Sequence, residues 1–187
     1  MTRKGILMIA ALFLVAFVVL GLGRLGYEEI EGYQSLEKAA EKIRKDFPRV
    51  KPIAPGALAD LLENPGPVLL IDAREPLEYA VSLLPGAVNL RTVNEVNEHL
   101  AARKEQPEIL ILYGAIGFRA AELADELLTS GRGNLELLEG GIFRWANEGR
   151  SLVDPQGRTV TQVHSYNKVY RRLLDPAKRA LTPEAGD

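Results

Sequence analysis

Three short apolar runs stand out along the chain: Val68 to Ile71, Ile109 to Tyr113 and Leu135 to Leu138. Runs of this length without polar alternation predict strands buried on both faces. Between them the apolar residues fall at helical spacing. Ala57, Leu58, Leu61 and Leu62 give one face to a helix after Pro55-Gly56. Val93, Val96, Leu100 and Ala101 do so for a second helix, and Leu123, Leu127 and Leu128 for a third that starts near Phe118. Strands alternating with helices predict an α/β fold, an open parallel sheet flanked by helices. Ligands of such sheets bind at the carboxyl ends of the strands. Asp72 and residues 114–119 both lie at such ends, so they are expected to share one crevice.

Two further amphipathic patterns lie outside this block. Leu36, Ala39, Ala40, Ile43 and Phe47 predict a helix that is either a stalk above a membrane or an arm packed on the domain. From Thr159 to Leu174, residues Val160, Val163, Tyr166, Tyr170, Leu173 and Leu174 predict a C-terminal amphipathic helix. It would dock on its own domain, on a partner, or on a bilayer surface through Lys168, Arg171 and Arg172. Residues after Pro176 read as disordered.

The N-terminus has a different character. After Arg3 and Lys4, residues 5–23 contain no charged or polar side chain. As a helix at ~1.5 Å per residue they reach about 28 Å, close to the thickness of a bilayer core. The segment therefore reads as a transmembrane signal-anchor. A cleaved signal peptide, which would leave a secreted domain, is the alternative, although no Ala-x-Ala site follows. Basic residues before the segment and Glu28, Glu29 and Glu31 after it predict a cytoplasmic N-terminus and an exported C-terminal domain, periplasmic if the cell is bacterial. The organisation expected is residues 1–4 cytoplasmic, 5–23 in the membrane, 24–51 a helical stalk or linker, 52–153 the folded domain, and 154–187 a tail.

Charge narrows the partners. Residues 52–149 hold seven Lys/Arg against fifteen Asp/Glu, a net of −8, while residues 150–187 hold seven against four, a net of +3. An acidic domain argues against a nucleic-acid surface, which needs a basic stripe. His99 and His164 lack metal-ligand spacing, and neither a metal nor a cofactor is implied. The chain has no cysteine, which fits export but equally fits a cytosol without disulfides.

Chemistry concentrates in ILILYGAIGFRAAELADELL, residues 109–128. A strand that breaks at Gly114 into a glycine-bearing turn and then a helix aims several backbone N–H groups at one point, which is anion-binding geometry. The loop resembles that of the rhodanese family. There a cysteine, two residues, a glycine, a further residue and an arginine follow the strand; Gly117, Phe118 and Arg119 match, Gly114 stands where the cysteine would, and Ala120 where a serine is usual. The resemblance continues upstream in Asp72, Arg74, Glu78, Tyr79, Pro85, Gly86, Ala87 and Asn89. It departs at Ser82-Leu83-Leu84, where the family commonly has Gly-His-Ile. Downstream it covers Glu139-Gly140-Gly141 and the helix of Trp145. It spans roughly residues 52 to 153, in four blocks in the right order.

Sulfur transfer in this family runs through a cysteine persulfide, and nucleophilic catalysis of that kind needs a thiolate. The resemblance therefore implies a rhodanese-like fold without rhodanese catalysis: a membrane-anchored module binding a protein partner or a small oxyanion. The candidate binding residues are Gly114, Ala115, Ile116, Gly117, Phe118, Arg119 and Asp72, with Ile116 and Phe118 forming an apolar rim. The alternative is a sulfurtransferase-type enzyme using a non-cysteine group such as Asp72, or a persulfide supplied by a partner. Each residue also has a structural role open to it. Arg119 could bind an anion or hold the loop through Glu75 or Glu78, and Asp72 could cap the turn that follows it. Arg74 and Glu78 could pair locally at i, i+4. Gly140-Gly141 suits a turn of positive φ, and Tyr113 and Trp145 suit the core.

Overall fold

A computed structural model describes residues 35–63, 66, 68–167 and 169–180 of the chain. The proposed membrane segment, residues 5–23, lies outside the described residues; among the described ones no helix is long and apolar enough to cross a membrane.

The elements run α1 (Leu36–Asp46), β1 (Lys51–Ile53), α2 (Pro55–Glu63), β2 (Val68–Asp72), α3 (Pro76–Tyr79), β3 (Val88–Asn89), α4 (Val93–Ala101), β4 (Ile109–Tyr113), α5 (Phe118–Thr129), β5 (Leu135–Leu138), α6 (Gly141–Asn147), β6 (Leu152–Val153) and β7 (Thr159–Val160). Five strands form a parallel sheet in the order β1-β5-β4-β2-β3. The three apolar runs are its centre, and β2 lies against β4 with Asp72 opposite Tyr113. The sheet is flanked by helices, as the alternating pattern predicts. On one face Leu69, Ile71, Leu110, Leu112, Leu135 and Leu137 pack with Ile43 of α1, Val96 and Leu100 of α4, and Leu123 and Leu127 of α5. Leu70, Ile111 and Leu138, buried as well, point to the opposite face by strand alternation.

Local sequence sets the helix ends. Ser35 Oγ accepts from Lys38 N and starts α1, and Thr92 with Glu95 forms a capping box for α4. The first helix is an arm on the domain: Ala39, Ala40 and Ile43 are buried.

The C-terminal segment departs from the expected amphipathic helix. Thr159 and Val160 pair antiparallel with β6. Val163 then bonds to the chain beyond Pro176: its N–H donates to Lys178 O and its carbonyl accepts from Ala180 N. Helical turns are confined, among the described residues, to two 3₁₀ segments, Tyr170–Leu173, with Val169 N and Tyr170 N capped by Asn167 Oδ1, and Pro176–Lys178. β-branched residues at 159, 160, 161 and 163 favour extended backbone, and Tyr166 at φ 64° stops any helix through it. The apolar residues still reach the core, Val163 at 0% exposure and Leu174 at 1%, but from an extended chain. Residues 176–180 are ordered by the same pairing, against the disorder expected after Pro176.

Candidate functional site

Strand β4 ends at Tyr113, and the chain turns through Gly114–Gly117 into α5. The turn is fixed from three sides. Ala73 N donates to Tyr113 O at 2.9 Å, and the first N–H groups of α6, from Ile142 and Phe143, take Gly114 O and Ala115 O at 3.0 and 3.1 Å. Gly117 sits at φ 118°, where a Cβ would stand 3.1 Å from Ile43 Cδ1 of the arm, so glycine is required there. A Cβ on Gly114 would meet Gly117 N at 3.7 Å and Ala120 N at 3.8 Å. A side chain at position 114 thus fits without steric conflict and would point at two backbone nitrogens.

The loop is not the open cup that the sequence suggests. Ala115 is 8% exposed and Ile116 4%. Ile116 is therefore core rather than rim, and half-buried Phe118 packs against the main core cluster. Both side chains find apolar surface within the fold, so neither is left over for a mouth.

Arg119 takes the second of the roles open to it and bonds to both Glu75 and Glu78. Its Nη1 donates to Glu75 Oε1 at 2.9 Å and its Nη2 to Glu78 Oε2 at 2.6 Å, while its guanidinium carbon lies 4.9 Å from the Tyr166 ring centroid. Burial alone would lower its pKa; Glu78, then Tyr166 and Glu75, outweigh burial and hold it above the ordinary value. It therefore remains a cation at any working pH. Glu75 Oε1 is shared with Arg91 Nη2 at 2.6 Å, and Glu78 is almost wholly buried, its Oε2 also accepting from Glu75 N.

Asp72 does not join the loop in a crevice. It is fully buried, and both carboxylate oxygens accept from Arg74: Nε at 3.0 and 3.2 Å, and Nη2 at 2.7 Å. Arg74 N also donates to Asp72 Oδ1, and Arg74 Nη2 to Ser82 O. The Asp-x-Arg spacing at the end of β2 folds the guanidinium back onto the carboxylate two residues earlier. This also corrects the expected pairing of Arg74 with Glu78: Arg74 precedes α3, so the two are not i, i+4 neighbours on a helix, and Glu78 goes to Arg119 instead. Burial works against the Arg74 cation, but Asp72 outweighs it and keeps the pKa raised. Tyr113, fully buried, has its hydroxyl pushed well above the ordinary value by burial and then by Asp72; its oxygen accepts from Leu84 N. Trp145 is core, donating Nε1 to Ser151 O at 2.8 Å. Gly140 and Gly141 have φ 73° and 57°.

The surroundings of Arg119 also include Arg91, which shares Glu75 with it, and Tyr166, named from sequence only for its place in the C-terminal pattern. Leu77 and Tyr166 are the large apolar residues exposed among the described ones, at 77% and 38%. Tyr166 contacts Arg119 directly, and Leu77 precedes Glu78 on α3. No local pattern marks Tyr166 as a neighbour of Arg119, 47 positions away.

Comparison with known proteins places this geometry. The family model of the rhodanese-like domain matches residues 54–148. The chain belongs to the rhodanese-like family. It shares 30% identity over 101 residues with a sulfurtransferase of Allochromatium vinosum, across 54% of this chain and 92% of that protein. It is 31% identical over 97 residues to a probable adenylyltransferase/sulfurtransferase, MoeZ, of Mycobacterium tuberculosis, across 51% of this chain and only 24% of that protein. The structure of a thiosulfate sulfurtransferase from Pseudomonas aeruginosa superposes with a TM-score of 0.53 at 21% identity, covering 72% of this chain and 25% of that one, a likeness of fold. In this rhodanese-like chain the strand–turn–helix unit is intact and no thiol exists anywhere in the sequence.

Proposed function

We propose that this rhodanese-like domain has no sulfurtransferase activity and serves as a binding module, held at a membrane by residues 5–23 with the domain on the exported side. The single observation that carries the reading is the turn at Gly114. Two amide nitrogens, of Gly117 and Ala120, bracket the place of a side chain that glycine lacks, and the chain has no cysteine to supply a persulfide. The enzymatic alternative through Asp72 gains no support, because that carboxylate is fully buried and doubly bonded to Arg74.

A protein partner fits better than a free oxyanion. The loop residues are buried and Arg119 already has two carboxylates, so a small anion would compete with both. By contrast, exposed Tyr166 lies on half-buried Arg119, Arg91 shares Glu75 with it, and exposed Leu77 directly precedes its partner Glu78; tyrosine and arginine are enriched at the centres of interfaces. The test is site-specific photocrosslinking from position 77 in the intact chain in its native membrane. A discrete crosslinked protein, lost with Arg119→Ala but kept with a photocrosslinker-neutral change on a distant face such as Lys104→Ala, supports the module. Crosslinks that ignore Arg119→Ala contradict it. Sulfate or thiosulfate that protects the loop amides at millimolar concentration would favour the oxyanion instead. The membrane part is tested separately: the retained anchor resists carbonate extraction at full-length mass, whereas a mature N-terminus near Arg24 shows a cleaved signal.

A further inference from the structure

Two of the four residues in the turn after β4, Gly114 and Gly117, carry no side chain, so contacts from outside must set its shape. One set comes from α6, whose Ile142 and Phe143 amides hold the carbonyls of Gly114 and Ala115. The other comes from α1. Ile43 Cδ1 stands 3.1 Å from where a Cβ of Gly117 would lie, closer than the next atom, Leu137 Cδ2 at 3.9 Å. The two helices are joined through Glu139: its Oε2 accepts from Arg44 of α1 and its Oε1 from Arg144 of α6, both at 2.6 Å. Turn, α6, Glu139 and α1 thus close a ring. Just beyond α1, Arg49 bonds to Asp125 and Thr129 of α5, so the same arm also holds the helix into which the turn leads.

The arm lies outside the family match, which begins at residue 54, and it is attached less firmly than the strands of the sheet. Its helix buries three residues, Ala39, Ala40 and Ile43, with Phe47 half-buried after them. Its ion pairs run through Arg44 and Arg49, both exposed, and surface pairs contribute little. An element with few buried apolar contacts and exposed polar ones opens before the domain as a whole. We propose that α1 is a clamp on the 114–119 loop: it lifts off as a unit while the sheet stays folded, and the loop keeps its shape only while the clamp is docked. Lifting withdraws Ile43 from Gly117 and Arg44 from Glu139 together, so both sides of the turn lose support at once. The clamp goes beyond the binding reading and does not depend on it, because it is defined by contacts within the chain and needs no ligand to be tested.

Native-state hydrogen exchange of the full chain over low denaturant concentrations tests the clamp. The loop reporters are the amides of Ile142, Phe143 and Ala121, which bond to Gly114 O, Ala115 O and Gly117 O. They are expected to share one opening free energy and one denaturant slope with the amides of α1. Both values should be smaller than those of β2 and β4, which exchange through global unfolding. Ile43→Ala is then expected to speed exchange of the α1 and loop amides by one common factor, roughly thirtyfold, the low end for deleting a well-packed isoleucine side chain. Loop amides that keep a slope of their own overturn the proposal, and so do α1 amides that merge with those of β2 and β4. An Ile43→Ala effect confined to α1 also overturns it. If Ile43→Ala does not fold, the unchanged chain's slopes decide, and Arg44→Ala takes its place with a common factor of roughly two to five. Each of these failures leaves the crosslinking test of the binding module standing on its own.

Discussion

Gly141 presses its α-carbon against the backbone of Gly114: a Cβ at 141 would stand 2.3 Å from Gly114 O and 2.6 Å from Ala115 O. The contact joins α6 to the loop and lets Ile142 N and Phe143 N reach the two carbonyls that fix the direction of the turn. Any side chain at 141 must push the loop away from α6.

Gly141→Ala is therefore expected to cost about 2–4 kcal/mol, overpacking against backbone added to the left-handed φ. Gly149→Ala is the control, since its φ is 72° with nothing within 4 Å of an added Cβ; strain alone should cost it ~1–2 kcal/mol. Denaturant midpoints of the two variants make the comparison. Equal losses would show that the contact with Gly114 is not tight.

Breaking the buried pair at the end of β2 should be more severe. Arg74→Ala leaves the Asp72 carboxylate buried without its cation, and removing one partner of such a pair costs about 3–5 kcal/mol. Arg74→Lys is expected to rescue only in part, because an ammonium cannot bond both Asp72 oxygens and Ser82 O in the fork geometry seen here. Equilibrium unfolding of the three proteins would check the order.

Asp154 gives the pH dependence a sign. Burial works to raise its pKa, but bonds from Arg158 N, the Arg158 guanidinium and Gln156 N outweigh burial and hold the carboxyl below its ordinary value. A folded pKa below the unfolded one contributes stability that is fully present above the unfolded value, about 3.9, and lost as pH falls through the folded value. The stability deficit of Asp154→Asn relative to the parent should thus be largest near neutral pH and shrink below about pH 3.9. A deficit that grows on acidification contradicts the assignment.

Much of this fold was legible because parallel strands buried on both faces leave continuous apolar runs, and β2, β4 and β5 fall where those runs lie. The edge strands β1 and β3 were not, because Lys51-Pro52-Ile53 and Val88-Asn89 are too short to show any period. The C-terminal segment was misread for a physical reason: Val163, Leu173 and Leu174 are needed by the core at spacings that a helix also satisfies. At the site, the loop was legible from Gly114, Gly117 and Arg119, since strand, turn and helix adjoin in sequence. The burial of Ile116, the capture of Asp72 by Arg74 and the Tyr166–Arg119 contact depend on tertiary packing, which residue spacing does not record.

The central claim is that a rhodanese-like domain is present without sulfur transfer, and the direct measurement is thiosulfate:cyanide sulfurtransfer by the full chain. The expected result is a rate equal to the no-enzyme control, unchanged by Arg119→Ala. Turnover clearly above that control and lost with Arg119→Ala would contradict the account, because it would require a sulfur-accepting group in a loop that offers none.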